Sequence, residues 1–150
     1  MTSKNFDLTS DEVKTILEDE EEDWTSCWNG AKALAKKFGI KKDPESKDFY
    51  TGNVTNFDEI KDWDDGIYLC VIDTEKEMHY FGLQISGNNI TLLSTYGGHK
   101  KIIKKTFVKK EWVRRLISAS YGNEKDYKFV FNLPNGGNAS KFSIIEFLPV

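Results

Sequence analysis

The chain has 150 residues, of which 39% are hydrophobic, 13% aromatic and 30% charged, and its net charge is −3. That composition is that of a globular protein, for which disorder is not the expectation, and fits one domain, 1–150, with a single sizeable core. The acidic balance argues against a general nucleic-acid binder, and two cysteines, Cys27 and Cys70, form no disulfide framework of the secreted kind.

The charge is unevenly spread. Residues 1–66 carry 17 acidic and 9 basic side chains, against 7 and 12 in residues 67–150, so the basic half can meet an acidic partner. The first residues lack the apolar stretch of a signal peptide, and no run approaches the ~20 apolar residues that cross a bilayer. The expectation is a cytoplasmic protein with no membrane span.

In chain order, Thr9 and Glu12 stand at capping-box spacing before an apolar stripe of Val13, Ile16 and Leu17, which predicts a short helix. Glu18 to Asp23 is an unbroken acidic run that reads as solvated surface, so residues 1–23 form an acidic helical lead-in and 24–150 the core. Next comes Thr25-Ser26-Cys27-Trp28-Asn29-Gly30-Ala31. Trp28, Ala31, Leu34, Ala35 and Phe38 fall at helical spacing, with Gly39 as a C-cap. Cys27 would occupy the first turn of that helix, where unpaired N–H groups and the positive dipole end favour a thiolate.

Residues 41–65 read as a long polar connection, with one helical turn at Asn56-Phe57-Asp58-Glu59-Ile60. Ile67 to Ile72 is a continuous β-prone run expected to be a central strand, with Cys70 a core residue inside it. Met78 to Ile85 follows as a strand with His79, Phe81, Leu83 and Ile85 on one face. The turn Ser86-Gly87-Asn88-Asn89 leads to a third strand, Ile90 to Thr95, which completes a three-stranded antiparallel meander.

His99 to Arg115 carries basic doublets at 100–101, 104–105, 109–110 and 114–115, and a helix is expected from about Val108 to Ala119 with Val108, Trp112 and Leu116 in line. Its apolar face reads as core and its lysines as solvated surface, ahead of a membrane or nucleic-acid role. Two more strands are expected at Tyr127 to Leu133 and Phe142 to Leu148, joined by the loop Pro134–Asn138. The fold class is α+β, with N-terminal helices packed on a mainly antiparallel sheet and one inserted helix.

Thiol hydrolysis needs a thiolate, an imidazole and a group that orients the imidazole. The chain has only two histidines, and His79, at the start of a strand, is the better base than His99 in its basic loop. The order Ser26-Cys27-Trp28 at a helix start, His79-Tyr80-Phe81 opening a strand, and Leu93 to Gly97 closing the next resembles the papain-like cysteine protease superfamily in its broad sense, including toxin and effector-type thiol hydrolases and deamidases. The resemblance covers about residues 24–98. It implies a papain-like core in which Cys27 is the nucleophile, His79 the general base and acid, and Thr95 or Ser94 the orienting group. Trp28, Tyr96 and Gly97 would then bind a protein or peptide amide. The chain departs from the family in having Glu20-Glu21-Glu22-Asp23 where a glutamine often precedes the cysteine, and in lacking an Asn or Asp at the third position.

No zinc spacing or phosphate-binding glycine loop is present, so neither a metal nor a cofactor is expected. If an effector, the protein would act in a host cytoplasm. The alternative from another class is a non-catalytic interaction protein, a microbial or viral host-binding factor, for which the acidic run and the basic 100–115 stretch speak.

Overall fold

The computed structural model describes residues 51–75, 78–96, 101–133 and 139–150, with the backbone alone for 94–96 and 101–103. Within them the elements are β1 (Gly52–Val54), a 3-10 helix (Phe57–Asp62), β2 (Gly66–Asp73), β3 (Met78–Ser86), β4 (Asn89–Tyr96), β5 (Lys101–Val108), α1 (Lys109–Ser120), α2 (Glu124–Val130) and β6 (Ile145–Pro149). The strands form one six-stranded sheet in the order β1-β6-β2-β3-β4-β5. Every described pairing is antiparallel. The α+β class thus takes the form of a mainly antiparallel sheet with helices, while the expected N-terminal helices, the acidic run and the loop Pro134–Asn138 lie outside the described residues.

Side-chain alternation decides what each strand buries. Tyr68, Cys70 and Ile72 of β2 and Phe81, Leu83 and Ile85 of β3 join Trp112, Val113 and Leu116 of α1 and Tyr127 and Val130 of α2 in one core cluster. The other face of the sheet is also dry, because Ile67, Leu69, Val71, Leu93 and Leu148 are buried outside that cluster. Both faces of β2 are therefore covered, as its continuous apolar run requires.

Two positions depend on glycine. Gly87 has φ +55° in the two-residue turn between β3 and β4, and its N–H donates to Asp65 Oδ1 at 3.0 Å. This left-handed conformation is the one such tight hairpins demand. Gly52 faces Phe147 across the β1–β6 pair, and a Cβ there would lie 2.5 Å from the phenyl ring. That ring instead packs on Trp63, centroid to centroid 4.5 Å, and Trp63 packs on Tyr68 at 4.6 Å.

Several expectations need correction. The segment expected as a strand from Tyr127 to Leu133 is helical through Val130. Its apolar residues alternate, but local capping wins: Asn123 Oδ1 accepts the Asp126 N–H at 3.0 Å, and Lys128 pairs with Glu124 at 2.8 Å one turn earlier. The meander has four strands, β2 to β5, because Lys101–Val108 pairs along its whole length with β4. Val108 ends β5 with 59% of its surface exposed and does not line up with Trp112 in the core. The last strand is Ile145–Pro149 and not Phe142 to Leu148. The described part of the connection ahead of β2 holds β1 and the 3-10 helix, which is capped by Asn56 and covers the helical turn expected at 56–60.

Candidate functional site

The proposed catalytic residues are only partly within view. Cys27, Trp28 and Gly97 lie outside the described residues. Ser94, Thr95 and Tyr96 form the last backbone positions of β4, opposite Ile103, Ile102 and Lys101. His79 is the one candidate whose side chain can be followed.

His79 lies opposite Ile72 of β2, near the start of β3. Its ring stacks on Phe81 with centroids 5.7 Å apart and planes at 22°, and it meets Phe131 edge-on at 5.1 Å. Although the residue is half-buried as a whole, Nε2 is sealed from solvent and has no hydrogen-bond partner. Burial in this aromatic nest disfavours the charged imidazolium and lowers the pKa from 6.5 to about 4. A general base at neutral pH needs a higher proton affinity and a partner that fixes its tautomer. The nest around His79 provides neither.

Cys70 is a core side chain. It is 1% exposed, its thiol lies 3.9 Å from the Tyr68 carbonyl oxygen, and burial pushes its pKa well above the ordinary thiol value. Among the described residues no group of three or more His, Cys, Asp or Glu could hold a metal ion. Among them, too, no helix is long and apolar enough to cross a membrane.

Two surface features stand out instead. The first is the edge formed by β5. The bond from the Lys109 N–H to the Asn88 carbonyl, 2.7 Å, continues the β4–β5 register, in which Asn89 faces Val108. Backbone groups of odd-numbered β5 residues therefore bond to β4, and those of Thr106 and Val108 point away from the sheet. No described strand lies beyond them.

This edge is basic. Lys105 holds its Nζ 5.3 Å from the Phe107 ring centroid and 5.8 Å from that of Phe129. Lys109 and Lys110 open α1, where the positive end of the helix dipole opposes a cation by about 0.3–1 kcal/mol each. Glu111, the one acid in that first turn, pairs with Arg114 at 2.8 Å and Arg115 at 3.2 Å.

The second feature is a cleft of about 800 Å³ between the end of β2, the start of the 3-10 helix, the end of α1 and residues 141–144. Its walls are tied together by the Phe142 N–H, which donates to the Ser120 carbonyl at 3.2 Å. Asp73, Glu75 and Lys141 line it, all exposed and without an ion pair among the described residues.

Sequence reasoning missed both features. The cleft gathers residues from four separate segments, so no local pattern announces it. The β5 edge did carry a signal, since Ile102, Ile103, Thr106, Phe107 and Val108 are β-prone, but the basic doublets dominated the reading. Comparison with known proteins finds no matching family model, no matching curated protein and no matching solved structure.

Proposed function

We propose that the chain is a non-catalytic interaction protein that takes an acidic, extended segment of a protein partner along the β5 edge. The observation that carries this reading is the pairing of outward-facing backbone groups at Thr106 and Val108 with a concentration of lysines on the same strand and the following helix turn. An added strand would gain main-chain hydrogen bonds from the first and charge complementarity from the second. Edge lysines also repel a second copy of the same edge, which guards an edge strand against self-association. The same array attracts an acidic strand, so the guard and the recognition element are one.

The thiol-hydrolase alternative, with its papain-like core and a helix beginning at Cys27, asks His79 to activate a thiol. The low proton affinity of His79 and its unpartnered Nε2 favour the binding reading over it.

The test is an NMR titration of the ¹⁵N-labelled chain with a peptide of alternating glutamate and valine. The amides of Thr106 and Val108 should shift and gain exchange protection. The effect should fade in high salt and in the double variant Lys105→Glu, Lys109→Glu. No perturbation along β5, or one indifferent to both salt and charge reversal, overturns the reading.

A further inference from the structure

Beyond the β5 edge, we infer that the cleft between the end of β2 and the end of α1 is a carbohydrate-binding site, taking a neutral sugar with vicinal hydroxyls. The inference stands on how its donors, acceptors and one exposed ring are distributed. Asp73 and Glu75 bring two carboxylates, and Lys141 one cation. Ser143 and Tyr121 bring hydroxyls that both donate and accept. Asn56 uses its Oδ1 to cap the 3-10 helix, accepting the Asp58 N–H at 3.3 Å, which leaves its NH₂ for a ligand.

A sugar ring offers pairs of adjacent hydroxyls, each able to donate and accept. Carboxylates bind such donors through charge-assisted bonds without requiring charge on the ligand. A strongly cationic ligand would fit the two carboxylates but would meet Lys141, and a strongly anionic one would meet the carboxylates. The small net charge of the lining therefore selects a neutral, hydroxyl-rich molecule.

Tyr121 supplies the apolar contact. It is 76% exposed, makes no ring contact among the described residues, and follows the last turn of α1. Its position is fixed rather than loose. Gly122, at φ +90°, returns its N–H to the Ala119 carbonyl at 2.9 Å, and the Tyr121 N–H bonds to the Ser118 carbonyl at 3.2 Å. An exposed aromatic face on a fixed turn beside hydroxyls and carboxylates is a platform for the C–H face of a sugar ring.

The probes are maltose and N,N′-diacetylchitobiose, each added to tens of millimolar while ¹⁵N spectra of the chain are recorded. At least one should shift the amides of Asp73, Glu75, Tyr121 and Ser143, with little dependence on salt. Tyr121→Ala and Asp73→Asn should each weaken that binding by about tenfold, as loss of a stacking face or a charged acceptor does. Both residues are exposed, so the variants keep the fold, which the unchanged signals of the core confirm. Three outcomes overturn the inference: neither sugar perturbs the cleft, the shifts persist undiminished in both variants, or spermidine shifts the cleft amides where the sugars do not.

Discussion

Replacing His79 by phenylalanine should remove a specific acid sensitivity from the fold. In the native protein the imidazole stays neutral to about pH 4, whereas in the unfolded chain it takes a proton near its ordinary value of 6.5. Between those values the unfolded state binds more protons than the folded one, so stability falls as pH falls through the window. The stabilisation is fully present above pH 6.5 and is lost progressively down to about pH 4. At about 1.4 kcal/mol per pH unit, the loss reaches about 3 kcal/mol across the window. The assay is urea unfolding at steps from neutral pH to about 4.5 for the wild type and for His79→Phe, whose ring fits between Phe81 and Phe131. Carboxylates titrate in both chains, so the difference between the two curves isolates the histidine. It should widen steadily below pH 6.5. Parallel curves would refute the claim that the imidazole is held neutral, and with it the argument that His79 is a poor base.

Other perturbations test the core and the turn. Trp112 is fully buried and donates from Nε1 to the Val130 carbonyl at 2.9 Å, which joins α1 to the end of α2. Trp112→Phe should cost about 2–4 kcal/mol in urea unfolding, from an orphaned carbonyl plus lost volume. A cost under about 1 kcal/mol would mean the two helices are held otherwise. Gly87→Ala puts a Cβ on a left-handed turn residue and should lower stability by about 1–2 kcal/mol, while Gly87→Asn should cost less, as compared by thermal unfolding. Equal losses for the two would place the cause elsewhere than in backbone strain.

The strands of this fold were legible where burial and turn chemistry agreed. β2 carries an uninterrupted apolar run because both of its faces are dry, and β3 and β4 are marked by alternation around Gly87-Asn88. The misreadings came where two periods overlap. From Tyr127 to Leu133 apolar residues occur at every second position, yet Tyr127, Val130 and Phe131 also share a helical face, and the Asn123 cap tips the balance. In β5, the basic doublets at 100–101 and 104–105 obscure a β-prone run, and the expected helix begins only at about Val108, where β5 ends. The β2–β3 register brings His79 beside Ile72, and α2 and its C-cap bring Phe131 to it. A sequence alone does not disclose such a nest, and so a histidine could be assigned to catalysis on its strand position. The cleft is less legible still, since its carboxylates, lysine and tyrosine meet only once the end of β2, the end of α1 and residues 141–144 are folded together.

The measurement that bears most directly on whether this protein binds or cuts is the pH dependence of alkylation at Cys27 and Cys70, read by mass spectrometry on the folded chain and on His79→Ala. Binding without thiol catalysis predicts that Cys27 reacts with an apparent pKa of about 8.5, as an ordinary thiol does, unchanged by the loss of His79, and that Cys70 stays unmodified until the chain unfolds. A Cys27 that reacts well below that pKa in the native protein, and loses this reactivity in His79→Ala, would contradict the account and establish a thiolate–imidazole pair.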